Sequence, residues 1–120
     1  MREIEFRGKL INSKIWAYGN LDIKKNKTAI ITPDDTPLGR YGEVDTETVG
    51  QYTGLKDKNG VKIFEGDIVR SYADVFRAIV EYNTSFAGWF PFCNERTGIY
   101  ADECEVIGNI HDNPELLEGE

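Results

Sequence analysis

Turn-forming residues interrupt this sequence so often that a long helix has no room to form. Twelve glycines and four prolines separate short segments that are rich in β-branched and aromatic residues. Such segments favour β-strands, and Gly, Pro and Asn between them favour tight turns. The pattern predicts a mainly β fold of about eight short strands, arranged as a small barrel or a sandwich.

Alternation of apolar and polar residues locates the predicted strands. The segment 75–82 fits both strand alternation and a helical stripe, and its β-branched and aromatic content favours the strand. The segment 33–42 carries two prolines and two glycines and predicts a mobile loop. The other predicted strands cover residues 4–7, 15–23, 28–32, 49–55, 61–64, 68–72, 88–93 and 105–110, with Pro91 indicating an edge or a bulge.

Lys58-Asn59-Gly60 is the strongest local signal in the chain. Asn-Gly tolerates the positive φ angles of a tight hairpin turn. We therefore expect the segments on either side, Val49–Leu55 and Val61–Phe64, to pair. From Ile63 to Ile110 the spacing of strands and turns resembles that of a small SH3-like barrel.

Two segments predict short helices. Asp45-Thr46-Glu47-Thr48 predicts a single helical turn, since Asp or Thr can cap it. Residues 112–117 predict a short C-terminal helix, with Asn113 as its cap and Pro114 at its first position.

The formal net charge is −7 and is concentrated at the C-terminal end. Residues 102–120 contain seven acidic residues and neither Lys nor Arg, whereas the rest of the chain is balanced. Nucleic-acid-binding proteins usually carry a basic face, because neutralising phosphates supplies most of their affinity. Here the local basic cluster is Lys24, Lys25 and Lys27, which predicts either a solvated hairpin tip or a small contact with nucleic acid.

Few side chains offer reactive chemistry. Cys93 and Cys104 lie eleven residues apart and His111 is the single histidine, so the spacing of a four-ligand zinc site is absent. A nucleophilic Cys with His111 and Asp112 is formally possible, but nothing in the sequence orders it. Phosphate-binding loops and nucleophile motifs are also missing. We predict no catalytic residue, no metal site, no cofactor and no enzymatic activity.

Two further groups of residues have both a structural and a functional interpretation. Glu65 and Asp67 would share one face of a strand and could hold a metal or a proton, or could simply form a polar turn. Four aromatic residues could form a stacking face for bases or could lie in the core: Trp16, Tyr18, Tyr52 and Trp89.

No segment approaches the roughly 18 apolar residues that a membrane span needs, and the N-terminus lacks the apolar run of a signal peptide. Two cysteines fit a reducing compartment. We expect a soluble, cytoplasmic protein without membrane contact.

The longest distinctive motif of the chain is Val49–Gly60 followed by Ile63–Val69. This motif, together with Ile4–Lys9, Trp16–Gly19 and Val106–Leu117, resembles the YopX family of phage and prophage proteins. The resemblance implies a small, mainly β protein encoded by a phage or prophage, and it implies no reaction or catalytic residue. It indicates one domain over residues 1–120: strands and a loop in 1–43, a motif-bearing β core in 44–111 and an acidic tail in 112–120.

Three functions remain open at this stage. The first is a non-catalytic module that binds a host or phage protein in the bacterial cytoplasm, with the acidic tail as one docking element. The second is a nucleic-acid-binding β-barrel that uses the lysine cluster and nearby aromatic residues. The third and least favoured is a small enzyme that uses Glu65, Asp67 or His111. Strand edges near Pro91 also suggest a homo-oligomer.

Overall fold

The computed structural model describes residues 5–24, 27–32, 40–71, 77–84, 88–92 and 99–117. The chain divides into two compact units, Met1–Tyr52 and Thr53–Glu120. Both units are built from antiparallel strands, and helical structure in the described residues is limited to short 3₁₀ turns. The prediction of a mainly β fold is confirmed.

The first unit is a sheet of short strands. It contains β1 (Phe6–Lys9), β2 (Trp16–Lys24), β3 (Lys27–Thr32), β4 (Arg40–Glu43) and the beginning of β5 (Gly50–Lys56). Neighbouring strands follow the order β4-β3-β2-β1-β5. The long strand β2 changes partner along its length, since its first half pairs with β1 and its second half with β3.

The end of β4 returns to the end of β1 and closes this sheet. The Ile11 N–H donates to the Glu43 carbonyl oxygen at 3.0 Å, and the Asp45 N–H donates to the Lys9 carbonyl oxygen at 2.9 Å. Closure pairs backbone groups that an open edge would leave exposed. Among the described residues, the sheet of the first unit therefore closes at this one bridge.

Two glycines let the closing segments approach each other. Leu10 and Val44 form a β-bridge at the closure. A Cβ atom on Gly8 would lie 3.0 Å from two carbon atoms of the Val44 side chain, and a Cβ atom on Gly42 would collide with Cδ2 of Leu10. Val44 is only 2% exposed, so its branched side chain has little space in which to move away.

The strand β4 lies where the sequence predicts a loop. Residues 40–42 of the predicted loop pair with β3, with Ile31 opposite Tyr41 and Ile30 opposite Gly42. The prediction of a loop was wrong for residues 40–42. Their composition favours a turn, but hydrogen bonding with β3 places them in a strand. Residues 33–39 of that loop lie outside the described residues.

The second unit contains a three-stranded and a two-stranded sheet. The order in the larger sheet is β11-β7-β8, and the smaller sheet pairs β9 with β10. The strands are β6 (Lys62–Phe64), β7 (Asp67–Ser71), β8 (Arg77–Ile79), β9 (Glu81–Asn83), β10 (Gly88–Phe90) and β11 (Cys104–Asn109). Its buried core contains Ile63, Val69, Val80, Ala101 and Cys104. The SH3-like arrangement of this region stays a prediction.

The predicted strand and turn segments are largely confirmed. β5 and β6 are neighbours across the Asn59-Gly60 turn, although only Gly60 takes a positive φ, of 81°. The segment 75–82 contributes β8 and β9, which flank Val80. The predicted strand 88–93 ends earlier, at Phe90, because buried Pro91 begins a turn.

Both predicted helical segments form 3₁₀ turns. Thr46–Thr48 is capped by Asp45, whose side chain accepts a hydrogen bond from the Glu47 N–H. The C-terminal turn covers Pro114–Leu117. Asn113 directly precedes this turn, and its carbonyl oxygen accepts a hydrogen bond from the Leu116 N–H at 3.0 Å, while its side-chain oxygen accepts from the Asn109 N–H at 3.3 Å.

The Asp57 carboxylate fastens the β5–β6 turn to β11. It is 4% exposed. One oxygen accepts hydrogen bonds from the Asn59 N–H at 2.8 Å and the Val61 N–H at 2.9 Å, and the other accepts from the Val106 N–H at 2.9 Å. Three backbone donors are thus satisfied by one buried carboxylate, which explains how it is tolerated away from water.

We predict that Gly8→Ala lowers the free energy of unfolding by about 1–3 kcal/mol, because the added methyl group overpacks the closure against Val44. Urea denaturation measures the change. The matched control places Gly8→Ala in a Val44→Ala background, where the methyl group has space and should cost less. An equal cost in both backgrounds would contradict the role of this contact.

We predict that Asp57→Ala lowers the free energy of unfolding by about 3 kcal/mol, because it leaves buried N–H groups without an acceptor. The control is Asp45→Ala, which removes an exposed cap with one acceptor bond and should cost about 1 kcal/mol. Asp57→Asn keeps the shape but replaces one acceptor oxygen by a donor, so its cost should lie between the two. Similar losses for Asp57→Ala and Asp45→Ala would count against the carboxylate as the fastening group.

Candidate functional site

A groove of about 440 Å³ opens beside the closure of the first unit. We call it the closure groove. Its lining comes from three places: the turn after β1 (Ile11 and Lys14), the start of β3 (Lys27 and Thr28) and the segment Glu43–Glu47. The closure brings these places together, since the end of β4 meets both the end of β1 and the start of β3.

Hydrogen bonds fix the backbone around the closure groove. The Val44 N–H donates to the Thr28 carbonyl oxygen at 2.9 Å, and the Thr46 hydroxyl donates to the Thr28 hydroxyl at 3.1 Å. Oδ1 of Asp45 accepts from the Glu47 N–H at 3.1 Å. The groove is thus held in place before any ligand arrives, which reduces the entropy lost on binding.

The closure groove carries charges of both signs. Lys14, Lys27, Glu43 and Glu47 are all exposed. Within the described parts of the chain, none of these four side chains forms an ion pair. Ile11 adds an apolar side chain that is 42% exposed. Together with exposed Asp45, the arrangement therefore offers two cations, three anions and an apolar contact to a ligand.

The structure places two residues of the predicted lysine cluster opposite each other on neighbouring strands. Lys24 and Lys27 face each other as the last pair before the β2–β3 turn, and both are exposed. Lys24 Nζ lies 3.9 Å from an Asp22 carboxylate oxygen. Lys27 lines the closure groove, whereas Lys25 lies outside the described residues. The predicted hairpin turn is confirmed.

The strand register places Trp16 and Tyr18 on one face of β2, opposite Lys9 and Arg7 of β1. The Arg7 guanidinium carbon lies 4.6 Å from the centre of the Trp16 ring, and Lys9 Nζ lies 5.7 Å from it. Cation–π attraction therefore already uses the Trp16 ring. Tyr52 is 5% exposed and Tyr18 is 41% exposed. Of these three aromatic residues, only Tyr18 offers a substantial open surface.

Trp89 belongs to the second unit and serves its core. It packs against the buried cluster and meets Tyr82 edge to face, with ring centres 5.3 Å apart. The core interpretation therefore describes Trp89 and Tyr52 better than the stacking interpretation.

Glu65 and Asp67 lie in different local settings, one in a turn and the other in a strand. Asp67 is 2% exposed, and its Oδ2 accepts a hydrogen bond from the Phe64 N–H at 2.8 Å. Glu65 lies in the turn before β7, so strand alternation does not align it with Asp67. His111 lies in a turn, where its backbone N–H donates to Asn109 Oδ1. Among the described residues no group of three His, Cys, Asp or Glu is placed to hold a metal.

Cys104 is buried, with 1% of its surface exposed. Burial raises the pKa of the Cys104 thiol, and the negative charges of Glu103, Asp102 and Asp57 raise the pKa further. The thiolate is the reactive form of cysteine, so this environment keeps the thiol unreactive. Cys93 lies outside the described residues.

We predict that alkylation of Cys104 at pH 7.5 is at least about tenfold slower in the folded protein than in urea. Peptide mapping by mass spectrometry gives the rate for Cys104 separately from Cys93. The raised pKa also affects stability. As the pH increases, the Cys104 thiol of the unfolded chain loses its proton at about pH 8.5, whereas the thiol of the folded protein loses it only at a higher pH. The stability that this group contributes is therefore present below that pH and is lost as the pH rises through the folded pKa. Equal alkylation rates in both states would refute the prediction.

Sequence patterns alone did not identify most of the closure groove. Lys27 was singled out as part of a basic cluster, but Ile11, Lys14, Glu43 and Glu47 were not. The usable signal was the predicted Asp45 cap, because it places the carboxylates of 43–47 around one turn.

The fold and the groove define a small protein of closed and open antiparallel β-sheets with a polar, charged groove. Residues 5–118 match the family described as YopX protein, and the chain belongs to this family. The predicted family resemblance is confirmed.

A solved structure is similar over nearly the whole chain. It is the crystal structure of protein EF1440 from Enterococcus faecalis, with 33% sequence identity and a TM-score of 0.62. The alignment covers 98% of this chain and 100% of that one. No curated protein sequence matches this chain. In the described part of the chain, no helix is long and apolar enough to cross a membrane.

Proposed function

We propose that this protein is a non-catalytic interaction module that binds a host or phage protein in the cytoplasm of a bacterium carrying a phage or prophage. The observation that supports this most directly is the closure groove, in which two lysines and two glutamates stand exposed and without ion pairs in the described residues. Exposed charges around a small apolar contact are typical of the polar rim of a protein interface.

The lining of the closure groove favours a protein partner over a small ligand. Pockets for small molecules are mostly apolar, with a few placed polar groups. Here charged residues predominate, and the apolar side chains are Ile11 and buried Val44. Complementary charges across an interface favour the correct partner and suppress wrong ones.

Nucleic-acid binding is the alternative function. Exposed Lys24 and Lys27 support it, together with Tyr18 on the first unit. Three acidic residues in 43–47 stand against it, because they would repel phosphates that approach Lys14 or Lys27. The protein-binding proposal therefore fits the charges of the groove better.

An enzymatic function is the least favoured. The buried carboxylates of Asp57 and Asp67 are engaged by backbone N–H groups, and the pKa of the buried Cys104 thiol is raised. These groups stabilise turns and core, and none has the features of an activated nucleophile or base.

Two further interactions belong to the same proposal. The acidic segment 112–120 would add a salt-sensitive contact with a basic partner. The two-stranded sheet of β9 and β10 would offer strand edges to a second copy of the chain. Sedimentation of the full chain tests the homo-oligomer, and a single 13.6 kDa species would rule it out.

We predict that the tagged full chain captures a protein from a lysate of its bacterial host and that nuclease treatment leaves this complex intact. Replacing groove charges in a Glu43→Lys, Glu47→Lys variant should reduce the captured amount severalfold, because like charges then face the partner. Quantitative mass spectrometry measures the amount.

The control is Glu103→Lys, which changes an exposed carboxylate of the second unit outside β9, β10 and the acidic segment. It should leave capture unchanged. A partner lost on nuclease treatment would favour the nucleic-acid alternative, whose affinity should fall steeply between low and high salt. If all variants capture equal amounts of the partner, the closure groove is not the binding surface.

A further inference from the structure

We infer that the closure groove binds an extended segment of a protein partner that carries an acidic and a basic side chain close together. This inference rests on the proposed function and names the chemistry of the partner.

The closure groove carries two lysines and three carboxylates, so it presents charges of both signs with an excess of one negative charge. Asp45 is oriented by the hydrogen bond from the Glu47 N–H, so its carboxylate already serves the 3₁₀ turn. Glu43 and Glu47 then stand against Lys14 and Lys27. Opposite charges that shared one spot would form ion pairs within 4 Å, and in the described chain these four side chains form none. The groove therefore presents lysines and glutamates that are not paired with one another and are open to a ligand.

A ligand of one sign would satisfy only half of such a groove. A polyanion would pair with Lys14 and Lys27 but would meet repulsion from Glu43 and Glu47, and a polycation would meet the reverse. A segment with both signs can pair with the lysines and the glutamates at once. Charge complementarity thus selects a mixed-charge protein segment over nucleic acid.

The apolar part of the closure groove fits the stems of long charged side chains. Val44 lines the groove but is only 2% exposed, so the apolar surface that a ligand can reach comes from Ile11, which is 42% exposed. Lys and Arg place their methylene groups along apolar surface and keep the charged end in water. Because the backbone is fixed by Val44, Thr28 and Thr46, the ligand need not order it.

Short capped peptides of equal length test this inference on the isotope-labelled full chain. One peptide has alternating Lys and Glu, one has only Glu, one has only Lys and one has no charge. Chemical-shift titration by NMR follows the backbone amides of Lys14, Lys27 and 43–47. We expect the mixed peptide to bind most tightly and to shift these amides, with an affinity that falls as salt is added.

Single neutral variants identify the contacts. Lys27→Gln and Glu43→Gln should each weaken the mixed peptide about two- to fivefold, as expected for exposed ion pairs. Lys24→Gln is the matched control, because Lys24 is the partner of Lys27 at the same hairpin turn but does not line the groove. It should leave the affinity unchanged.

Three outcomes would overturn the inference. The first is equal or tighter binding of a single-sign peptide, and the second is equal weakening by Lys24→Gln and Lys27→Gln. The third is the absence of any shift in the groove amides, in which case a nuclease-resistant partner from the capture experiment would still support the interaction module. A DNA oligomer that shifts the same amides more strongly than any peptide would instead establish the nucleic-acid alternative.

Discussion

The backbone pairing between the end of β1 and the end of β4 is the constraint on which the first unit depends. In this pairing the Ile11 N–H donates to the Glu43 carbonyl oxygen, and the Asp45 N–H donates to the Lys9 carbonyl oxygen. The pairing also requires small residues where the two segments meet, which explains Gly8 and Gly42. The Asp45-capped turn directly follows the closing segment. The same backbone pairing that closes the sheet therefore also positions the residues that line the groove.

A different device organises the second unit. Its sheets are short, and a two-stranded sheet by itself is barely stable in water. Asp57 compensates by linking a hairpin turn to β11, which is distant in sequence. Trp89 anchors the small β9–β10 sheet on the buried cluster. Contacts between segments that are distant in sequence thus depend on a few side chains, such as Asp57 and Trp89, rather than on long strands.

The local parts of this fold were predictable from sequence because their causes are local. The Asn59-Gly60 turn, the Asp45 cap and the alternation around Val80 each depend on neighbouring residues. β4 was missed because its strand exists through pairing with β3, and its glycine is required by Leu10, far away in the chain. The orientation of the Asn113 side chain also depends on a residue outside its own turn, because its oxygen accepts a hydrogen bond from the Asn109 N–H.

The candidate site was less predictable than the fold. Residue types indicated basic and aromatic surfaces, but the register showed that Trp16 is already covered by Arg7 and Lys9. The closure groove combines residues from the beginning of the chain with residues of 43–47, and only the closure makes them neighbours. The residue pattern along the sequence does not show that these two segments are in contact.

Lys14 gives this groove a conflict between stability and recognition. Its φ angle is 64°, a left-handed conformation that costs a residue with a Cβ atom about 1 kcal/mol and that glycine adopts freely. A glycine at this position would relieve the strain while removing one of the two positive charges of the groove. Selection for thermal stability alone would therefore drift toward a better-folded chain with a weakened binding surface, so stability and binding must be assayed together at this position.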